Sequence, residues 1–415
     1  MNNRFNDLSA LSNSPSLKGR LGFVVALSII LSTSTEYRIE LGPLLIHAYL
    51  LLIPVVLLLT SFQIQSIERH VIKYLVLFTV TFSTACVFSI EDIPHLVKVV
   101  AATITFIFFA QSVNNYKDFW LISYGIIFCS IYLGVKTILI SDQFTPSRIS
   151  TGVVALEGIG NKNAQSLYML PGLFFSSWIF SDSLRTRRLV LTLVHGIFLI
   201  VMAIGLILTA NRSGWLAGIL IMIFFLFKSG INFRVFLFLP LLYLVVSFYV
   251  ENFALDIVDR KYEQTFVTSY SADKIRYFLL SESILAGLHN PFLGYGPIKL
   301  AEHLAESAAI VGYRGKLLDP HNLYGYLLGG SGIFSFTFFF LFLFGMVRYK
   351  PIKKIATRNT EDVRRLLIFF ILIFLLRGFF TREILYSPTF ISSLAILYGF
   401  YRVEINQVSN QRLTS

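Results

Sequence analysis

The chain is poor in charge, cysteine and proline for its length. Only 14% of its 415 residues are charged and 55% are hydrophobic, whereas a soluble domain carries roughly 25% charged residues. The 12 prolines and 26 glycines are too few for a fibrous or low-complexity chain. Both cysteines, Cys86 and Cys129, lie inside apolar segments, so we interpret them as small core residues. These deficits argue against most soluble classes and favour a membrane protein.

The sequence instead contains long apolar runs that are rich in phenylalanine, and the chain has 41 phenylalanine residues in all. A helix that crosses a bilayer needs about 20 mostly apolar residues. The candidate spans are 21–35, 42–62, 73–90, 96–112, 119–140, 164–181, 189–209, 213–227, 235–250, 322–347, 365–380 and 384–401. We therefore predict an all-α polytopic membrane protein with about 12 transmembrane helices, in which residues 1–415 form a single membrane domain.

The basic residues are divided unevenly between the predicted loops. About 20 of the 35 Lys and Arg residues fall in one alternating set, which includes both ends of the chain and a dense cluster within 348–365. Because short cytoplasmic loops carry the excess of positive charge, we predict that both termini are cytoplasmic. The net charge of +12 then reflects topology rather than a nucleic-acid partner. The basic start of the chain has no evident cleavage site, so the first helix is expected to remain as an anchor.

One loop on the opposite face, residues 251–321 between the ninth and tenth spans, is far longer than the others. It has about 70 residues, whereas helix connections in bundles commonly have 2–8. Apolar residues recur at helical spacing over Ser271–Leu288, which predicts a helix inside the loop. In the turn-rich segment that follows, Gly294 and Gly296 permit close backbone approach. Long ordered loops often carry function, so this loop, together with the shorter loop 141–163, marks the non-cytoplasmic face as the place for a site.

Three side chains on that face are candidates for chemistry. Arg212, in the short polar connection between two apolar runs, either reaches the membrane surface or binds an anion. Arg276, on the predicted loop helix, is either a solvated surface residue or a second cation for the same anion. His321, in Asp319-Pro-His-Asn, either caps the tenth span or acts as a base near neutral pH. Two arginines and a base suit transfer from a phosphorylated donor, because Arg binds phosphate bidentately and stabilises a leaving pyrophosphate.

The motifs around these residues resemble those of the O-antigen ligase and O-antigen polymerase family of bacterial envelope glycosyltransferases. That family has a T-x-S-R-like motif before a long periplasmic loop, an Arg followed by N-P-x-x-G-x-G within it, and an H-N-x-x-L motif at its end. The similar segments are Thr209-Ala-Asn-Arg212, Arg276 with Asn290-Pro-Phe-Leu-Gly-Tyr-Gly296, His321-Asn-Leu-Tyr324 and Gly160-Asn-Lys-Asn163. The resemblance covers roughly residues 150–345, and Asn211 departs from the usual Ser.

The resemblance implies a GT-C-like architecture and a defined reaction at the periplasmic face of the bacterial inner membrane. The donor would be an undecaprenyl-pyrophosphate-linked glycan, with Arg212 and Arg276 holding its pyrophosphate and His321 activating the acceptor hydroxyl. Transfer would invert the anomeric configuration without a metal or a cofactor. The acceptor would be a sugar of the lipid A core in a ligase, which we favour slightly, or another lipid-linked repeat in a polymerase. Supporting positions would be Asp319, Asn322, Tyr295 and Asn163.

A transporter for lipid-linked glycans is the alternative outside the enzymes. Such proteins commonly show inverted repeats or charged residues at mid-membrane. No internal repeat is evident in this sequence, and the polar residues cluster at one face, with Arg377 as a possible exception. The histidines show no HxxxH or HExxH spacing, so the sequence predicts no metal site.

Overall fold

The computed structural model describes most of the predicted spans. The described residues are 14–33, 38–41, 44–59, 67–87, 89–139, 162–209, 211–229, 274–310, 318–348 and 358–413. The predicted ninth span, 235–250, lies outside them. So do most of the loop 141–163, residues 251–273 and 311–317 of the long loop, and residues 349–357 of the basic cluster.

The described chain is helical apart from one short hairpin. The helices are α1 (Leu17–Ser28), α2 (Ala48–Leu59), α3 (Arg69–Val87), α4 (Ile93–Ser112), α5 (Tyr116–Leu139), α6 (Lys162–Arg185), α7 (Leu189–Leu208), α8 (Arg212–Lys228), α9 (274–289), α10 (Pro297–Ile310), α11 (Leu323–Arg348), α12 (Arg358–Gly378) and α13 (Pro388–Leu413). Short 3-10 helices cover Ile29–Thr33, Ile90–Asp92 and Arg382–Tyr386. Strands β1 (Arg38–Leu41) and β2 (Leu44–His47) pair antiparallel, with Leu41 opposite Leu44. The predicted all-α class is confirmed, with this hairpin as a small addition.

Five of the described helices are long and apolar enough to cross a membrane. They are Arg69–Val87, Ile90–Ser112, Tyr116–Leu139, Leu189–Leu208 and Leu323–Arg348. Together with the helical fold, they make the chain a polytopic membrane protein.

Two predicted spans begin later than their hydropathy suggested. The helix expected over 42–62 begins at Ala48, because the residues before it form the second strand of the hairpin. The span expected at 384–401 is preceded by the 3-10 helix Arg382–Tyr386, and α13 begins at Pro388. Proline suits the first turn of a helix and disfavours helical backbone in the residue before it. Pro388 itself therefore explains why α13 begins there.

The chain forms two compact units, one of residues 1–126 with 276–415 and one of residues 127–275. In the first unit, α3 packs along α11, and α4 and α12 pack along α13. Aromatic rings fill the spaces between these helices. The rings of Phe78 and Phe339 lie 5.3 Å apart, and those of Phe106 and Phe342 meet edge to face at 4.9 Å.

The second unit is built around α6, which lies against α7 and α8. Small residues bring its helices close together. A Cβ atom on Gly205 of α7 would lie 2.7 Å from the Cα atom of Gly134 on α5, and one on Gly172 would overlap Ser130. Close packing through small side chains is a common way for helices to associate in membranes.

Helix α11 is broken at Gly332, where φ is 77° and ψ is 177°. The break leaves backbone groups that need other partners, and the segment 290–296, which we call the clasp, supplies them. The N–H groups of Tyr295 and Gly296 donate to the carbonyls of Gly329 and Gly330, each at 2.9 Å. In return, the N–H of Ile333 donates to a carbonyl of the clasp at 2.7 Å.

The clasp requires glycine where the two backbones meet. A Cβ atom on Gly332 would lie 2.3 Å from the carbonyl oxygen of Phe292, and one on Gly294 would lie 2.7 Å from that of Gly329. Gly294 and Gly296 both have positive φ, of 65° and 84°. Their predicted role in close approach is therefore confirmed: Gly294 lies against the backbone of the broken helix α11, and a Cβ atom on Gly296 would lie 2.7 Å from Oδ2 of Asp92.

Candidate functional site

Helix α9, the predicted loop helix, packs on α11 through small residues four positions apart. Ser283 and Gly287 lie on α9, and Gly325 and Gly329 lie on α11. A Cβ atom on Gly325 would come within 2.7 Å of the Ser283 Cβ, and one on Gly329 within 2.6 Å of its carbonyl oxygen. A Cβ atom on Gly287 would come within 2.7 Å of Leu328. This contact holds α9 tightly against the N-terminal half of α11.

The two helices run in the same direction, and α9 extends about seven residues beyond the start of α11. Gly287 meets Leu328 farther along both helices than Ser283 meets Gly325. Arg276 precedes Ser283 by seven residues, nearly two turns, and therefore shares its face of α9. The N-terminus of α11 carries partial positive charge, and Arg276 adds a full positive charge near it, so this end of the pair favours an anion.

His321 occupies a strained turn just before α11. Its φ is 52°, in the left-handed region that residues other than glycine rarely adopt. Its backbone N–H donates to Oδ1 of Asp319 at 3.0 Å. Asn322 caps α11: its side-chain oxygen accepts from the N–H of Gly325, and its amide donates to the carbonyl of Pro320 at 2.7 Å. The turn is thus held on both sides of His321, whose side chain keeps an exposed face.

Neighbouring groups set the protonation state of His321. The surrounding protein lowers its pKa by disfavouring the charged imidazolium, Arg276 and Arg382 lower it further, and Asp319 opposes them. The net direction is downward from the ordinary value, so the neutral form that can accept a proton prevails near pH 7. The same interaction means that Arg276 and His321, two of the predicted site residues, lie near each other.

Arg382 is a residue of this site that was not predicted. It lies in the 3-10 helix between α12 and α13, and its Nε forms an ion pair with Oδ2 of Asp319 at 2.8 Å. Its guanidinium also lies over the ring of Tyr326, 4.7 Å from the ring centroid. The sequence does contain a feature that could have pointed to Arg382: like Arg212, it stands in a short connection between two apolar runs.

A buried hydrogen-bonded group lies beneath Arg382. The hydroxyl of Tyr386 donates to that of Tyr326, which is hydrogen-bonded to Nδ1 of His95 at 2.9 Å. Lys98, also not predicted, lies one turn from His95 on α4, with its Nζ 5.8 Å from the centroid of the Tyr386 ring. Lys98 interacts electrostatically with Arg382. Arg276 of α9 and Arg382 of the 3-10 helix therefore act on His321 itself, and Lys98 of α4 acts on Asp319 of its turn.

Tyr295 lies in the clasp. Its ring stacks on that of His303, with centroids 5.3 Å apart and planes 15° apart. Immediately after it, Oδ1 of Asp92 accepts the backbone N–H of Ile298 at 2.7 Å and so caps the start of α10. These contacts give Tyr295 a part in holding the clasp and α10; its role in orienting His321 or lining a pocket stays a prediction.

Arg212 lies in the second unit, where it is the exposed first residue of α8. Asn211 caps this helix by accepting the N–H of Gly214 at 3.3 Å. Its amide donates to Oδ1 of Asn163 at 3.0 Å and to Oγ of Ser166 at 2.7 Å, both on α6. Asn163 therefore helps to hold Asn211, the residue before Arg212, and its supporting role in the site stays a prediction. The amide group also accounts for the departure from Ser, since one hydroxyl cannot donate to both partners.

Comparison with known families adds to this geometry. Residues 197–340 match the family model for O-antigen ligase, a range that includes Arg212, Arg276 and His321. This segment of the chain is similar to the O-antigen ligase family. The resemblance inferred from the motifs is confirmed, and the match supports a role in O-antigen-related glycosyl transfer at a membrane. No curated protein matches the chain.

The matched range does not contain every residue of the candidate site. Lys98 precedes the matched range and Arg382 follows it, so neither belongs to the motifs that carried the resemblance. Arg377, the possible mark of a transporter, is buried near the end of α12 and interacts electrostatically with Glu383 of the neighbouring 3-10 helix. It therefore joins the charges at this end of the first unit. Among the described residues, no cluster of His, Cys, Asp or Glu side chains could hold a metal ion.

Proposed function

We propose that this protein transfers a glycan from an undecaprenyl-pyrophosphate-linked donor to a sugar hydroxyl at the periplasmic face of the bacterial inner membrane. The preferred acceptor is the lipid A core, which would make the chain an O-antigen ligase with both termini in the cytoplasm. The description of the matched family favours ligation over polymerisation of lipid-linked repeats. The observation that carries the proposal is the turn of His321, which lies at the N-terminal end of α11 with Arg276 and Arg382 beside it.

The proposed reaction is one displacement at the anomeric carbon of the donor glycan. The acceptor oxygen forms a bond to this carbon as the bond to the pyrophosphate oxygen breaks, so the configuration inverts. His321 takes the proton of the attacking hydroxyl, and undecaprenyl pyrophosphate leaves with the bonding electrons. His321 then loses its proton to solvent and is ready for another transfer.

The cations act on the pyrophosphate in this scheme. Arg276 binds it by two parallel hydrogen bonds and stabilises the charge that develops as it leaves. The N-terminal end of α11 adds partial positive charge next to the turn of His321. Arg212, at the start of α8, is proposed as a second pyrophosphate ligand, in accord with its position in the family match. No metal is required, because side chains supply the positive charge.

The test is transfer by the purified protein in lipid bilayers, supplied with lipid-linked glycan and lipid A core. We expect Arg276→Ala to reduce transfer at least about a hundredfold, the scale for a lost group that stabilises developing charge. Lys274→Ala is the matched control, because Lys274 lies on the same helix, about 200° around its axis from Arg276, and should leave transfer unchanged. Normal transfer by Arg276→Ala would remove Arg276 from the mechanism.

The choice of acceptor separates ligase from polymerase. A ligase attaches the glycan to lipid A core, whereas a polymerase lengthens a lipid-linked repeat and leaves the core untouched. Deletion of the gene gives an independent reading on a lipopolysaccharide gel. Loss of a ligase leaves bare core, and loss of a polymerase leaves core with a single repeat. Movement of lipid-linked glycan across the bilayer without release of undecaprenyl pyrophosphate would instead support a transporter.

A further inference from the structure

We propose that Arg382 is a positioning residue that holds the turn of His321 in its strained conformation by joining Asp319 to the buried ring of Tyr326. The inference rests on the proposed role of His321 as the base, but it concerns a residue outside the O-antigen ligase match. It assigns a function to the 3-10 helix Arg382–Tyr386, which lies far along the chain from His321.

The geometry forms a continuous chain of contacts from His321 to the helix core. The backbone N–H of His321 donates to one carboxylate oxygen of Asp319 at 3.0 Å, and Arg382 pairs with the other oxygen at 2.8 Å. Both carboxylate oxygens are therefore used, and the carboxylate cannot rotate without breaking a contact. A histidine with φ of 52° is strained and persists only when its surroundings hold it there.

The other side of Arg382 is fixed by aromatic contacts. Its guanidinium lies 4.7 Å from the centroid of the Tyr326 ring, and Tyr326 is fully buried on α11. The hydroxyl of Tyr326 is held by Tyr386 and by His95, so its ring is fixed from two further elements. Arginine suits this position better than lysine because its planar group can stack on a ring and pair through Nε at the same time.

The ion pair also controls the charge that faces His321. Three charged groups act on its imidazole: Asp319 on its own turn, Arg276 on α9 and Arg382 on the 3-10 helix. Arg382 lowers the pKa of His321 directly, and it engages the carboxylate that would otherwise raise that pKa. Loss of Arg382 should therefore raise the pKa of His321 and release its turn together.

The experiment measures the pKa of His321 without substrate, from the pH dependence of hydrogen–deuterium exchange at its imidazole C2 position, read by mass spectrometry. We expect a higher pKa in Arg382→Ala than in wild type and an intermediate shift in Arg382→Lys, which keeps the charge but not the planar contact. His195, hydrogen-bonded to Ser176 at 2.9 Å in the second unit, is the internal control and should keep its exchange profile in every variant.

Transfer assays on the same samples complete the test. We expect kcat to fall about 10- to 100-fold in Arg382→Ala with a smaller change in KM, since a misplaced base impairs chemistry more than binding. If the exchange profile of His321 in Arg382→Ala equals that of wild type while His195 is unchanged, the positioning role is wrong. If the pKa shifts as expected but transfer is normal, the proposed function of His321 fails and the contact network stands.

Discussion

At the scale of single residues, the site depends on how each functional side chain is held. Arg212 was predicted from its place between two apolar runs, Arg276 from the predicted loop helix and His321 from the start of the tenth span, and the motifs around them supported all three. Arg382 stands in a similar stretch but lacks a motif, and nothing in the sequence indicates that the 3-10 helix returns to the start of α11. Its partnership with Asp319 depends on tertiary packing, and only the folded chain reveals it.

The pH dependence of transfer should follow the protonation of His321. Only the neutral imidazole accepts a proton, so the rate should fall as the pH drops through its pKa, and the lowered pKa places that midpoint below about 6.5. Asp319→Asn should move the midpoint to still lower pH, because it removes a carboxylate that raises the pKa of His321. A midpoint above the ordinary histidine range in the wild-type pH–rate profile would contradict the described surroundings of His321.

Asn211 should matter for the stability of the second unit. Asn211→Ala removes the cap of α8 and the hydrogen bonds to Asn163 and Ser166, so we expect a loss of about 1–2 kcal/mol, visible as a lower melting temperature in detergent. Asn211→Ser keeps a capping oxygen, so its melting temperature should lie between those of Asn211→Ala and wild type. Equal melting temperatures of Asn211→Ala and wild type would mean that this cap contributes little to stability.

At the scale of elements, the clasp and the break in α11 determine where α9 lies. The sequence predicted the helix of the long loop over Ser271–Leu288, and a helix is described at 274–289. It also predicted close approach at Gly294 and Gly296. It did not predict that α11 is the partner of the clasp. The two are joined by backbone hydrogen bonds, and these leave no pattern in the side chains. The break itself lies within a run of small residues that reads as an ordinary apolar span.

Substitutions in this run should distinguish a glycine that touches the clasp from a glycine that only lies on the same helix. Gly332→Ala places a Cβ 2.3 Å from a clasp carbonyl at a φ of 77°, so we expect about 1–3 kcal/mol of destabilisation, or failure to fold. Gly330→Ala is the matched control two residues away, since its Cβ would meet its nearest neighbour at 3.7 Å. Melting temperatures in detergent should fall for the first variant and stay near wild type for the second. Equal effects would argue against the clasp.

At the scale of the whole molecule, hydropathy predicted the class of fold well, because crossing a bilayer requires long apolar helices regardless of tertiary detail. It predicted helix ends less well at Ala48 and Pro388, where a hairpin and a proline determine the boundary. The division into two compact units has no mark in composition. The meeting of Arg212 with Arg276 and His321 stays a prediction.

The proposed mechanism also makes a prediction about metals for the whole protein. Transfer should be unchanged by EDTA, since Arg276, Arg382 and Lys98 supply cationic charge near the turn of His321. The measurement is the initial rate in lipid bilayers with and without chelator. Loss of activity with EDTA and its recovery with added Mg²⁺ would show that a metal takes part in the reaction.

The central claim is that His321 is the base of a glycan transfer from a pyrophosphate-linked lipid. The most direct measurement is release of undecaprenyl pyrophosphate by purified wild-type protein and by His321→Ala, with lipid-linked glycan and acceptor present. The claim predicts stoichiometric release and glycan attachment by wild type, and a rate at least about 100-fold lower in the variant, with equal amounts of folded protein. Near-wild-type release by His321→Ala would contradict it.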